Sequence, residues 1–135
     1  MRVLVVVDYP GVAEISCVMH RILGHDANPA TSGFEALARA RDFDPDIVIL
    51  DIGLPDRNGY EVARALRDQP RGNALHIAVL TGWNQPEDRS HAQAAGVDQH
   101  FVKPACTTKF QQILDAGKAK RFPPTAPAAA LAAVV

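Results

Sequence analysis

The sequence predicts an α/β fold in which a parallel sheet is covered by helices on both faces. Short, continuous apolar runs alternate along the 135-residue chain with longer segments whose apolar residues recur at helical spacing. This alternation, repeated five times, is typical of parallel strands joined by crossover helices. Apolar residues make up 47% of the chain and the net charge is −1. One globular domain is therefore expected, and a strongly basic nucleic-acid binder is not favoured.

The first strand and the first helix are indicated by a change of apolar pattern near Asp8. The run Val3 to Val7 is continuous, which predicts a strand buried on both faces. The next segment predicts an amphipathic helix that Gly24 closes. Its apolar residues at helical spacing are Val12, Ile15, Val18, Met19, Ile22 and Leu23. Residues 25–30 give a weaker pattern, and Pro29 limits any strand there to a short one near an edge.

The middle of the chain continues the alternation. Ser32 and Glu35 have the spacing of a helix capping box, and a helical pattern follows them. The run Ile47 to Leu50 predicts a second buried strand, which ends at Asp51. A loop rich in turn-forming residues precedes a helix over Tyr60 to Arg67.

The last third predicts two more strands and two more helices. Strands are expected over 75–80 and 97–102, and helices over 86–96 and 106–116. The domain is assigned to residues 1–118. Residues 119–135 are mostly Ala and Pro and are interpreted as a flexible tail.

Four polar residues directly follow predicted strands, namely Asp8, Asp51, Thr81 and Lys103. The carboxyl ends of parallel strands meet at one edge of a sheet, so these side chains should converge. Two carboxylates at one rim favour a divalent cation, and oxygen ligands of this kind suit Mg²⁺. A carboxylate beside Mg²⁺ can attack a phosphoryl group, while ammonium and hydroxyl groups are natural partners for the phosphoryl oxygens.

These pieces together resemble the receiver domain of two-component response regulators. The matching segments are Val3 to Asp8, Asp51 to Pro55 with Gly59, Leu80-Thr81-Gly82 and Val102-Lys103-Pro104, and the resemblance covers about residues 2 to 116. It implies a flavodoxin-like (βα)5 fold with a five-stranded parallel sheet in the order 2-1-3-4-5.

The resemblance also implies a role for each strand-end residue. Asp51 would be the phosphoacceptor. Mg²⁺ would be bound by Asp8, Asp51 and the backbone carbonyl of Gly53. Thr81 and Lys103 would contact the phosphoryl group, and Pro104 would follow a cis peptide bond.

The function implied is that of a signalling switch rather than an enzyme, since the chain would take part only in phosphoryl transfer and slow self-dephosphorylation. The phosphoryl group would come from a phosphohistidine on a sensor histidine kinase or a histidine phosphotransfer protein, and output would be through protein contact. No nucleic acid or membrane partner is expected. The chain would be a monomer, or a weak dimer formed through its last helices.

Three positions depart from, or vary within, the family pattern. Val7 replaces one acid of the pair that usually follows the first strand. His100 stands where relatives often have Tyr or Phe as a switch ring, and Trp83 stands where a side chain can shade the site.

Val7 motivates an alternative function, a receiver-like binding module with weakened or no phosphorylation. A phosphatase of the aspartyl-phosphate type would need a second acid two residues after Asp51, where Gly53 stands instead.

The cysteines and the apolar runs indicate the cellular compartment expected for the protein. Cys17 and Cys106 are the two cysteines and lack metal-like spacing, so a reducing cytoplasm fits better than an oxidising compartment. The run Val3 to Val7 is too short to span a membrane.

Overall fold

A computed structural model of the chain describes residues 1–81, 94–102 and 107–121. Its five strands are β1 (Arg2–Val6), β2 (Asp26–Ala30), β3 (Ile47–Asp51), β4 (His76–Thr81) and β5 (Gln99–Val102). They form one parallel sheet in the order β2-β1-β3-β4-β5. The predicted α/β class and strand order are therefore confirmed.

The helices of the described ranges are α1 (Pro10–Ile22), α2 (Gly33–Phe43), α3 (Gly59–Asp68) and α4 (Thr107–Arg121), and a short 3-10 helix covers Gly72–Ala74. α1, α2 and α3 connect successive strands, and α4 follows β5. α4 continues five residues beyond the predicted end at 116, so the first three residues of the predicted tail are helical. The helix predicted over 86–96 falls mostly outside the described residues.

The sheet separates two apolar clusters, as expected for strands buried on both faces. On one face the strands pack against α2 and α3, through residues such as Ala36 and Leu66. On the other face they pack against α1 and α4, through residues such as Cys17 and Ile113. Cys17 is a free, buried cysteine within this second cluster.

The helix cap at Ser32 and the edge position of the strand that contains Pro29 are both confirmed. Ser32 caps α2, and its hydroxyl oxygen accepts a hydrogen bond of 3.1 Å from the backbone N–H of Glu35. β2 is an edge strand, and Pro29 lies within it opposite Val5. An edge position tolerates proline because one side of the strand needs no ladder donors.

The start of β5 is anchored by the guanidinium group of Arg67 on α3. Its Nη2 atom lies 2.6 Å from the carbonyl oxygen of Gly96 and 2.7 Å from Oδ2 of Asp98. Asp98 also accepts a hydrogen bond from the backbone N–H of Ile77 on β4. α3 and β4 thus hold the segment that leads into β5.

Within the described ranges, no helix combines the length and the apolar character that crossing a bilayer requires.

Candidate functional site

The central side chain of the candidate site is Asp51, the last residue of β3. Its side chain is buried, with 7% of the residue exposed. Its Oδ1 atom accepts a hydrogen bond of 3.1 Å from the backbone N–H of Gly53. β3 lies between β1 and β4, so the carboxylate is placed at the carboxyl edge of the three central strands.

The loop after Asp51 folds back tightly onto the end of β3. The N–H of Gly59 donates to the carbonyl of Ile52 at 2.9 Å. A Cβ atom added at Gly59 would lie only 2.6 Å from the carbonyl oxygen of Asp51. Glycine is therefore required where α3 begins, and this close approach fixes the start of α3 against the Asp51 backbone. Asn58 caps the helix by accepting a hydrogen bond from the N–H of Tyr60 at 2.8 Å.

The same loop reaches α2 through Asp56. Its carboxylate accepts hydrogen bonds from the backbone N–H groups of Gly33 at 2.8 Å and Phe34 at 3.0 Å. These two bonds are the main reason why the pKa of Asp56 is lowered, because they favour the charged form. Asp56 therefore links the loop after Asp51 to the N-terminus of a second helix, a role that its turn-forming residue type alone did not reveal.

Asp8 follows the end of β1 and is half-buried. β1 and β3 are neighbours with Val6 opposite Leu50, so Val7 stands level with Asp51 and Asp8 lies one residue beyond. Val7 is buried in the apolar cluster that includes Ala13 of α1. The structure thus brings Asp8 and Asp51 to one edge, with an apolar residue where the resemblance leads one to expect an acid.

The remaining predicted residues are described in part. Thr81 is the last residue of β4, one position beyond Leu80, which pairs with Asp51. Lys103, Pro104 and Trp83 lie outside the described residues. Lys103 follows directly after β5, which pairs with β4 through Thr81 and Val102.

His100 lies on β5 and has a partner that the sequence did not suggest. Its Nε2 atom is 3.2 Å from the hydroxyl of Tyr60, the second residue of α3. Tyr60 is itself 7% exposed and belongs to the apolar cluster of the α2 and α3 face. The candidate switch residue is therefore in contact with the helix that begins beside Asp51.

The donor set at this edge suits a small, hard cation. Asp8 and Asp51 supply carboxylate oxygens and Gly53 supplies an exposed backbone segment with a carbonyl oxygen. Mg²⁺ commonly takes one or two carboxylates and completes its shell with water and phosphate oxygens. Among the described residues, no group of three or more His, Cys, Asp or Glu side chains is placed to hold a metal. Within the described residues, the two carboxylates and the Gly53 carbonyl remain the donors that we expect at this edge.

Comparison with known proteins identifies the family. A sequence model of the response regulator receiver domain matches residues 3–115. The chain belongs to this family. As a receiver domain, it is part of a two-component signalling system, and the prediction made from the strand-end residues is confirmed at that level.

Solved receiver structures share the fold closely. The chemotaxis protein CheY4 of Vibrio cholerae superposes with a TM-score of 0.81 at 28% identity, covering 85% of this chain and 96% of that one. The response regulator TrrA of Thermotoga maritima, solved in complex with Mg²⁺ and a beryllium fluoride, gives a TM-score of 0.74 at 28% identity, covering 86% of this chain and 97% of that one.

Curated relatives include longer proteins. The receiver domain is 39% identical over 104 residues to the probable transcriptional regulatory protein TcrX of Mycobacterium tuberculosis, covering 77% of this chain. It is 35% identical over 103 residues to the DNA-binding response regulator MtrA of Mycolicibacterium smegmatis, covering 76% of this chain. The match spans 44% of the length of each of these two relatives.

Proposed function

We propose that Asp51 accepts a phosphoryl group from a phosphohistidine on a sensor histidine kinase or a histidine phosphotransfer protein. The observation that carries this proposal is the buried Asp51 carboxylate, held by the Gly53 N–H at the edge where Asp8 also lies. A carboxylate placed in this way is oriented before the reaction, which favours in-line attack.

The reaction forms one bond and breaks another. A carboxylate oxygen of Asp51 attacks the phosphorus, and the bond between phosphorus and the donor imidazole nitrogen breaks. The imidazole leaves with the bonding electron pair, and Asp51 becomes an aspartyl phosphate. Mg²⁺, when bound by Asp8, Asp51 and the Gly53 carbonyl, would neutralise charge on the phosphoryl oxygens.

The other predicted residues complete the proposal. The Thr81 hydroxyl and the Lys103 ammonium would contact the phosphoryl oxygens, and the isomer of the bond before Pro104 would place Lys103. Trp83 would shade the site and so affect the lifetime of the acyl phosphate. His100 would act as the switch ring, changing its position with the state of Asp51.

Signalling would follow from a shift between two conformations. A partner reads the phosphorylated state only if it binds that state more tightly, so the output surface must differ between the two states. We assign this output to protein contact, in a cytoplasmic switch that turns over only its own acyl phosphate and forms at most a weak dimer. The named relatives include regulators of transcription, so the absence of a nucleic-acid partner is proposed for residues 1–118 alone.

A phosphorylation assay with a small phosphodonor and Mg²⁺ tests the proposal. Intact-mass spectrometry should show the gain of one phosphoryl group in the unmodified chain and no gain in Asp51→Asn. Asp68→Asn is the matched control, since Asp68 is an exposed acid at the end of α3 and should leave the gain unchanged. No gain in the unmodified chain, or an undiminished gain in Asp51→Asn, would overturn the assignment.

The assay also separates the alternative, a binding module without phosphorylation. The observation in its favour is Val7, whose buried apolar side chain supplies no oxygen at the position level with Asp51. Val7→Asp should lower the Mg²⁺ concentration needed for half-maximal phosphorylation. A chain that stays unmodified while Val7→Asp gains the phosphoryl group would favour the alternative.

A further inference from the structure

His76 is a buried histidine at the amino edge of the sheet, at the opposite end of β4 from Thr81. The residue is only 5% exposed. It stands opposite Ile47 of β3, and its backbone N–H donates to the carbonyl oxygen of Asp46 at 3.0 Å. A Cβ added at Gly117 would lie 3.7 Å from the Cβ of His76. The side chain is therefore enclosed on the face of the sheet that α4 covers.

The two ring nitrogens of His76 have different surroundings. Nε2 lies 2.7 Å from the side-chain oxygen of Gln99, the first residue of β5. An amide oxygen only accepts hydrogen bonds, so Nε2 carries the hydrogen and Nδ1 is an acceptor in the neutral ring. Among the described residues, no donor reaches the buried Nδ1 atom. A buried polar atom in this situation is uncommon and costs stability, so it calls for an explanation.

The group nearest to Nδ1 in charge is the carboxylate of Asp98. Its Oδ2 atom lies 3.7 Å from Nδ1 of His76. In the neutral ring these two atoms are both acceptors and gain nothing from each other. A proton on Nδ1 turns the ring into a cation with a donor that faces the carboxylate, which favours a charge-assisted hydrogen bond. The site is thus arranged to receive a second proton on His76.

Asp98 already joins β4 to the segment that enters β5. Its backbone N–H donates to the carbonyl of Ile77 at 2.9 Å, and its Oδ2 atom accepts from the N–H of Ile77 at 2.8 Å. The same Oδ2 atom accepts from Nη2 of Arg67 at 2.7 Å. A donor on His76 would have to share an oxygen that already serves two donors. Proton uptake should therefore weaken the hydrogen bonds that Asp98 makes now.

The charged groups on the elements around His76 differ in how directly they act on the ring. Among the described residues they are Arg67 of α3, Asp98 before β5, Asp46 before β3, and Asp115 and Lys118 of α4. The carboxylate of Asp46 accepts a hydrogen bond from the backbone N–H of Arg2. Asp115 and Lys118 are exposed, so water and salt screen their charges. The ion pair of Asp98 with Arg67 is therefore the main electrostatic partner of His76.

We propose that His76 is a proton-sensitive switch at the junction of β4 and β5. In the neutral state, Asp98 holds the start of β5 through the Ile77 N–H and Arg67. When Nδ1 takes up a proton from solvent, the imidazolium attracts Oδ2 of Asp98, and the bond from the Ile77 N–H loosens. β5 carries His100 and leads towards Lys103. The switch lies outside the Asp51 site and does not depend on phosphorylation.

The experiment follows two NMR signals of the unphosphorylated 135-residue chain, the Cε1–H of His76 and the backbone N–H of Ile77. They are recorded between about pH 5 and pH 8, the range in which histidines ordinarily change charge. His76→Gln identifies the ring signal and removes the titrating group. His25→Gln is the matched control, because His25 faces the Met1 amino group, 3.1 Å from its Nδ1, rather than Asp98.

The proposal expects both signals to titrate with one common midpoint, and the Ile77 amide proton to move upfield at low pH as its hydrogen bond weakens. The Ile77 titration should vanish in His76→Gln and persist in His25→Gln. In Asp98→Asn, which keeps an acceptor oxygen but loses the charge, it should shrink several-fold. This variant decides the question alone if His76→Gln does not fold.

Three results would overturn the proposal. The first is a His76 ring that stays neutral over the whole pH range. The second is a ring that takes up a proton while the Ile77 amide signal stays in place or moves downfield. The third is an Ile77 titration of undiminished size in Asp98→Asn, because the proton would then act through another group.

Discussion

The hydroxyl of Tyr60 lies 3.2 Å from Nε2 of His100. This contact joins the second residue of α3 to the second residue of β5. α3 begins where Gly59 packs against the Asp51 backbone, and β5 leads to Lys103. The hydrogen bond therefore connects the loop of the proposed phosphoacceptor with the strand that precedes the proposed phosphoryl-binding lysine.

Tyr60→Phe should remove this hydrogen bond while keeping the ring in its apolar cluster. We expect the free energy of unfolding to fall by about 1 kcal/mol, the usual net contribution of a partly buried hydrogen bond. Urea unfolding measures this value. Tyr9→Phe is the control, because Tyr9 is exposed and its hydroxyl should contribute less than about 0.5 kcal/mol. A double-mutant cycle with His100→Phe should show coupling, and additive effects would contradict the pairing.

Gly59→Ala should destabilise the domain and disturb the site at the same time. The added methyl group would meet the Asp51 carbonyl oxygen at 2.6 Å and Cα of Ile52 at 2.7 Å. Overpacking of this kind costs about 1–3 kcal/mol, since backbone on both sides must move. Gly53→Ala is the matched control, because its methyl group would meet only Asp51 Oδ1, at 4.0 Å. Equal losses of unfolding free energy in the two variants would refute this account.

Much of the sheet could be predicted because buried parallel strands leave a clear signal. The run Ile47 to Leu50 is continuously apolar and rich in β-branched residues, and it forms β3 at the predicted place. The sequence also predicted that Asp8 and Asp51 lie at one edge of the sheet, and the strands at whose ends they lie are neighbours; their roles stay predictions. The sequence signal for the edge strand β2 was weaker because Pro29 interrupts the pattern of strand-forming residues. Every residue of β2 nevertheless has a partner in β1.

Side-chain partners could not be predicted, because they depend on tertiary packing. Helical spacing in α1 correctly predicted a helix, but most of the apolar residues that carried the signal are exposed, whereas the buried residues are Ala13, Ser16, Cys17 and His20. Asp56 looked like a turn residue, and its role at the N-terminus of α2 depends on a contact 23 residues away. Tyr60 and His100 are 40 residues apart, and nothing in either local pattern indicates their contact.

His20 should make the stability of the domain depend on pH. Burial lowers the pKa of this histidine, which is fully enclosed, although its Nδ1 lies 2.6 Å from the carbonyl oxygen of Ser16. The unfolded chain, in which His20 titrates near its ordinary value of about 6.5, then binds more protons than the folded chain below that pH. Stability should therefore fall as the pH drops below about 6.5, by at most about 1.4 kcal/mol per pH unit for one proton. Urea unfolding between pH 7.5 and pH 5.5, a range set by this titration, should show a smaller slope for His20→Asn. The remaining slope should come partly from His25, whose pKa is also lowered, and an unchanged slope in His20→Asn would rule out this origin.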